Sequence, residues 1–317
     1  MALYKDVSPV LISRFGDREE TVRLEVWATY GILLSQTKVY AGIPQAKDAE
    51  YSIGGKRKRA EGMEVEETPL SLLQRQVPSL AKSLLHQLKS PKTSPATLQA
   101  GFTLLNSLLS VLPGSLSSHA SQVISNTKTV LSQSSTSAAN LQVSCLSFLG
   151  VFFATHSSSV YSDSLDSILP QLLKSLTERH PKITSEAFRV FSSLLNALKP
   201  VKSGDWVERV YAEAVSRLVN HDTDAEVRAC AEAIIGDLWI SATDLLRTKD
   251  RKEWDAICRT SGRTEGAVEV VTRVAREVDI DTAWLNGSIE WVLNLLKRSG
   301  RSGKNDLFMC LDALLRR

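Results

Sequence analysis

Apolar residues recur three and four positions apart through most of the chain, the spacing that lines up one face of an α-helix. The clearest case is Leu165 to Lys199, "LDSILPQLLKSLTERHPKITSEAFRVFSSLLNALK". Leu165, Ile168, Leu169, Leu172, Leu173 and Leu176 share a face of a first helix. The turn "ERHPK" ends it, because Pro181 has no N–H with which to extend an established helix. A second helix then points Ile183, Ala187, Val190, Phe191, Leu194, Leu195 and Leu198 inward, and Ser185, Glu186, Arg189, Ser192, Ser193 and Asn196 outward. Such a hairpin cannot cover its own apolar face, so its stability must come from neighbours of the same build.

The chain supplies those neighbours. "GDREETVRLEVWATYGILL" (Gly16 to Leu34) and "HDTDAEVRACAEAIIGDLW" (His221 to Trp239) are two copies of one turn-plus-helix pattern. Hairpins of about 35–45 residues are predicted over Ala2–Thr37, Leu70–Leu112, Leu116–His156, Leu165–Lys199, Trp206–Ile240, Thr243–Glu277 and Asp281–Arg317. Pro9, Pro78 and Pro170 fall inside or early in first helices, where they bend them. Asp17, Asp222 and Asp224 stand in turns where a carboxylate caps exposed N–H groups. Ala28, Ala100, Gly101, Ala187, Ala229 and Ala233 are placed to let second helices approach closely. The repeated Val-Arg pairs make Val22 and Val227 core residues, with Arg23 and Arg228 on neighbouring turn carboxylates. The predicted fold is all-α: a HEAT-repeat superhelix, or solenoid, of about seven helical hairpins.

One stretch breaks the pattern. Tyr40 to Thr68, "YAGIPQAKDAEYSIGGKRKRAEGMEVEET", has no helical period and exceeds the usual loop length of about 12–15 residues. It is expected to be a disordered charged insertion, which divides the chain into a repeat over 1–39, the insertion over 40–68 and about six repeats over 69–317. Within it, Lys56, Arg57, Lys58 and Arg59 precede several glutamates, a pattern read either as a solvated tether or as a nuclear import signal.

Composition adds mainly exclusions. A net charge of +3 over 317 residues argues for neither nucleic acid nor membrane as partner. Cys145, Cys230, Cys258 and Cys310 lie far apart on or beside apolar helical faces, the placement of buried, reduced thiols. The most apolar segment, "CLSFLGVFFA", is far below the roughly 20 residues needed to span a bilayer. No G-x-S-x-G, H-E-x-x-H, D-x-D-x-D-G or G-x-G-x-x-G motif occurs, and the five histidines lack metal-ligand spacing. "RSGRSGKND" (Arg298 to Asp306) lacks the first glycine of a phosphate loop and lies between two helices, so it reads as a turn. Trp254 and Asp255 beside Arg251 and Lys252 are the one constellation a helical-repeat glycosylase would use, and a partly buried Trp on a charged helix is the preferred reading. The chain is therefore expected to be no enzyme, with no cofactor, no metal and no small-molecule substrate.

The phrases "VSPVLISRFGDREETVRLEVW", "ETPLSLLQRQVPSLAKSLLHQLK", "LLSVLPGSL" and "PKITSEAFRVFSSLLNALKP" resemble, in this order, the cullin-associated neddylation-dissociated family. The likeness fades from about Leu246 to Gly266 and returns loosely over "GAVEVVTRVAREVDIDTAWLNGSIEWVLNLLKRS". It implies an interior segment of a long HEAT solenoid that wraps an unneddylated cullin and its RING subunit. The implied activity is exchange of substrate-receptor modules on cullin-RING ligases, by binding rather than catalysis, in cytoplasm and nucleus. The terminal helices "ALYKDVSPVLISRF" and "DLFMCLDALLRR" lack the polar outer face of a solenoid cap, so a fragment, split gene product or truncated reading frame is expected. In the family the second helices line the partner-facing surface. Arg189, Asn196, Arg273 and Arg276, with Lys297 and Arg298 at a nearby helix end, are the partner-binding candidates. The alternative function is a nuclear HEAT scaffold for transcription machinery or nucleic acid.

Overall fold

The computed structural model describes residues 3–41, 68–89, 93–133, 138–220, 222–246, 264–279, 282–300 and 304–317. These residues fold into helices, with no strand among them. In chain order the helices are α1 (Ser8–Ser13), preceded by a π-helical turn at Leu3–Val7, then α2 (Glu20–Tyr40), α3 (Pro69–Lys89) and α4 (Pro95–Val111). They continue with α5 (Ala120–Gln133), α6 (Ala139–Thr155), α7 (Ser162–Leu176), α8 (Pro181–Leu198), α9 (Asp205–Val219) and α10 (Ala225–Ser241). The last are the one-turn α11 (Thr243–Leu246), α12 (Thr264–Glu277), α13 (Thr282–Arg298) and α14 (Lys304–Leu315). Consecutive pairs make seven hairpins, the sixth represented among the described residues by α11 and α12. The predicted insertion lies almost wholly outside the described residues, and α2 continues through Tyr40.

Residues Met1–Ile168 and Leu169–Arg317 form two compact units. In the first, the second helices α2, α4 and α6 stack in one layer, while α1, α3 and α5 stack in another. In the second unit, α8, α10, α12 and α14 form the second-helix layer, with α9 against α10 and α13 against α14. The core of each unit is the seam between its layers. Leu73, Leu80, Leu84, Leu105, Phe148 and Phe152 are fully buried in the first; Phe191, Leu194, Val207, Ile235 and Leu238 are fully buried in the second. Each such side chain contributes about 1.5–3 kcal/mol of burial.

Local chemistry sets where the helices begin. Ser94 accepts a bond from the Thr97 N–H at 3.2 Å and Pro95 occupies the first helical position of α4. Asp224 accepts from the Glu226 and Val227 N–H groups at 2.9 and 3.4 Å, as its turn position predicts. Asp17 accepts from the Glu19 N–H at 3.1 Å, which ties the turn before α2 and holds the Asp17 carboxyl below its ordinary pKa. Asp222 makes no such cap; its own N–H donates to Asn220 Oδ1. Gly204 opens α9 at a φ of 139°, where a Cβ would stand 2.5 Å from the Trp206 indole nitrogen. The three bending prolines sit as expected, Pro9 at the start of α1 and Pro78 and Pro170 inside α3 and α7.

Three expectations need correction. Val227 is buried at 3% exposure, but Val22 is 39% exposed. Among the described residues α2 stacks on one second-layer helix, α4, whereas α10 is flanked by α8 and α12, so the same sequence pattern is covered in one place only. Arg23 and Arg228 hold turn carbonyls: Arg23 donates to the Asp17 and Arg18 carbonyls, and Arg228 to those of Leu218 and Asn220. Ser185 is fully buried, because the packed neighbours of α8 leave only a narrow outward strip. Of the small residues, Gly101 and Ala187 are buried at helix contacts, but Ala28, Ala229 and Ala233 face outward. Cys145 and Cys310 are buried free thiols and Cys230 is partly exposed; Cys258 lies outside the described residues.

Candidate partner-binding surface

The outward edge of the second-helix layer differs in character between the units. In the first unit it is small and uncharged over α4, where Thr103, Ser107 and Ser110 turn their hydroxyls back onto the carbonyls of Gln99, Thr103 and Ser107. Those hydroxyl hydrogens are used within the helix, which leaves a flat strip with few free donors. In the second unit the same edge is charged, and its charges are tied together across helices.

Two linkages span α8, α10 and α12. Arg189 of α8 donates to Glu186 at 2.8 Å and to Glu226 of α10 at 2.7 Å, and the two carboxylates push its pKa above the ordinary arginine value. The group is half-exposed, so the pair adds at most about 1 kcal/mol to stability. The second linkage is buried. Asp237 of α10, 3% exposed, accepts from Ser192 of α8 and from the guanidinium of Arg273 on α12. One carboxylate therefore bolts three stacked helices together.

The partner-binding candidates separate accordingly. Asn196 is exposed on α8 and Arg276 is exposed on α12. Arg189 is exposed but already shares two carboxylates, and Arg273 is half-buried on Asp237. Lys297 and Arg298 are exposed in the last turn of α13, a first helix, so they stand apart from the second-layer edge. Lys56, Arg57, Lys58, Arg59, Trp254 and Asp255 lie outside the described residues.

A groove of about 430 Å³ runs between α12 and α14. Val268, Thr272 and Met309 line it along with Gly266, Glu269, Arg273, Arg276 and Asp306. The two helices run parallel, since Arg317, just beyond the end of α14, donates to the carbonyls of Ala275 and Arg276 near the end of α12. Glu269 and Asp306 therefore sit toward one end of the groove and Arg276 toward the other, with Thr272 between them on α12 and Met309 one turn beyond Asp306 on α14. Periodicity marked these helices, but the groove depends on their pairing and has no signature in either helix alone.

Among the described residues no cluster of three or more potential ligands can hold a metal ion, and no helix is long and apolar enough to cross a membrane.

Residues 114–234 match the family model described as CAND1-like, TPR repeats. Cullin-associated NEDD8-dissociated protein 1 of Arabidopsis thaliana is 29% identical over 253 residues, which covers 78% of this chain and 19% of that protein. Its namesake from Drosophila melanogaster is 26% identical over 255 residues, with the same coverage of 78% and 19%. An Emericella nidulans protein named cullin-associated NEDD8-dissociated protein 1, C-terminal part, is 26% identical across 87% of this chain and 30% of its own length. The chain thus spans about a fifth of the length of the first two relatives. Among solved structures, the Kap95:Nup1 complex aligns with a TM-score of 0.58 at 12% identity, covering 98% of this chain and 42% of that one. A crystallised engineered protein aligns at a TM-score of 0.54 and 12% identity, covering 98% and 97%. Identity this low carries the fold alone, and the fold is that of a helical-repeat solenoid.

Proposed function

We propose that this chain, a relative of the cullin-associated NEDD8-dissociated proteins over about three quarters of its length, is a repeat segment that docks a cullin lacking the NEDD8 modifier. The reading rests on one observation: the likeness to those proteins extends across the stacked hairpins of both units rather than marking a single motif. A repeat array presents an extended edge suited to a large elongated partner, and affinity is spread over many weak contacts. On this reading the second-layer edge meets the cullin, with Asn196 and Arg276 as its free polar contacts and Lys297 and Arg298 as flanking charges.

The finer activity follows as part of the same proposal. Docking on an unneddylated cullin-RING complex competes with a substrate-receptor module and so promotes its exchange, with no catalytic step by this chain. A protein acting on such complexes works in both cytoplasm and nucleus, and Lys56 to Arg59 are the residues proposed to direct nuclear import. Because the chain is a partial match to longer relatives, the full exchange reaction is proposed for the assembly that contains it.

The test is equilibrium binding to an immobilised cullin-RING pair, unmodified and NEDD8-modified. The chain should bind the unmodified pair and bind the modified one at least about tenfold more weakly, a difference of about 1.4 kcal/mol. Equal affinity for both forms contradicts the modifier sensitivity, and no binding to either contradicts the reading itself.

A further inference from the structure

The α12–α14 groove is the place where the second unit leaves charges unused. Among the described residues Arg273 is neutralised by Asp237, whereas no ion pair joins Glu269, Asp306 or Arg276 to any partner. Charges left free along a stacked surface are ordinarily a solvated face. Here they border a cavity with an apolar floor of Val268 and Met309, and Met309 is 47% exposed. An apolar floor with a few polar groups at defined ends is the composition of a ligand groove, and 430 Å³ falls in the size range of about 300–1,000 Å³ typical of one.

The order of the charges says what fits. Glu269 and Arg276 are seven positions apart on α12, about 10 Å at the helical rise of about 1.5 Å per residue. An extended peptide advances about 3.3 Å per residue and turns every second side chain to one face, so side chains four steps apart share a face about 13 Å apart, a span that long lysine and glutamate side chains close to about 10 Å. We propose that this groove docks an extended segment of a partner polypeptide with a basic side chain at one end, an apolar one within and an acidic one at the other. The basic group lies toward Glu269 and Asp306, the apolar group rests on Met309, and the acidic group meets Arg276. A segment bearing a single sign of charge meets a like charge at one end. The site stands whether or not the partner is a cullin.

The chain carries its own reporter. It has three methionines, Met1, Met63 and Met309, and Met309 lines the groove. With methyl-labelled methionine in the full chain, the probe is the blocked pentapeptide lysine, alanine, leucine, alanine, glutamate, whose first, third and fifth side chains share a face. Its controls replace the glutamate by lysine, or the lysine by glutamate. The mixed peptide should shift the Met309 methyl signal saturably and leave the other two methionines still. Each control should bind about two- to fivefold more weakly, the range for exposed charge pairs. The Glu269→Gln, Asp306→Asn double variant should erase the preference over the two-glutamate peptide, while Arg276→Gln erases that over the two-lysine peptide. A Met309 signal that does not move overturns the proposal, as does equal binding of all three peptides. These outcomes do not depend on cullin binding, so failure here is separable from failure of the docking reading.

Discussion

Leu116 donates its backbone N–H to Nε2 of His156 at 3.1 Å, and the ring stacks on Phe152 with centroids 4.3 Å apart. With Nε2 accepting, the ring proton is on Nδ1 and donates to the Phe152 carbonyl at 2.9 Å. Burial lowers the His156 pKa below the ordinary value of 6.5. The sign follows: a histidine held neutral in the fold contributes its full stability above its unfolded pKa, and loses it as pH falls below about 6.5. Between about pH 7.5 and about pH 5, wild-type Tm should therefore fall further than that of His156→Gln, which cannot titrate. Equal falls in a thermal melt contradict this role. Nothing in the sequence separates His156 from the other four histidines; the distinction is a contact forty positions away. Gly101 gives a second residue-level prediction. A Cβ there would sit 3.0 Å from a Leu88 methyl and 3.3 Å from the Trp27 ring. Alanine gains about 1 kcal/mol of helix propensity and loses a similar amount to crowding, so Gly101→Ala should be close to neutral. Gly101→Val adds two methyl groups to that contact and should destabilise by about 1–3 kcal/mol in denaturant unfolding.

Between helices, the buried Asp237 carboxylate ties α8, α10 and α12 of the second unit, much as Glu20 of α2 accepts from Ser94 and Thr97 at the start of α4 in the first. Asp237→Ala strands Arg273 and the Ser192 hydroxyl, and should destabilise by about 2–4 kcal/mol. Adding Arg273→Ala should recover part of that loss, since residues in direct contact couple by about 0.5–3 kcal/mol. Additive losses in urea unfolding contradict the bolt. The hairpins and their inward faces were legible because periodicity reports one helix at a time: Leu165 to Leu176 are buried as a set, although α8 begins at Pro181, inside the stretch read as a turn. What periodicity misses is lateral packing. It placed Ser185 outward and Val22 inward, and both depend on which helices lie alongside. It likewise found the repeated Val-Arg pair but not the carbonyls at the ends of the preceding segments to which both arginines donate.

For the whole molecule, the all-helical repeat fold was readable from the recurrence of a single hairpin pattern, and the structural likeness to Kap95 agrees with it. The binding candidates were readable only as outward second-helix positions. Their availability turned on neighbours: Glu226 occupies Arg189, and Asp237 occupies Arg273, whereas Asn196 and Arg276 remain on the surface. The central claim is that the partner meets this second-layer edge and not the first-helix layer. Its most direct test is equilibrium binding of four variants to an unmodified cullin-RING pair. Asn196→Arg and Arg276→Glu change the second-layer edge; Lys82→Glu on α3 and Arg209→Glu on α9 make comparable changes on exposed first-helix positions. The account predicts that the first two together weaken binding at least about tenfold, and that the other two stay within about twofold of wild type. Binding that tolerates the edge variants and is lost with Lys82→Glu or Arg209→Glu would contradict it.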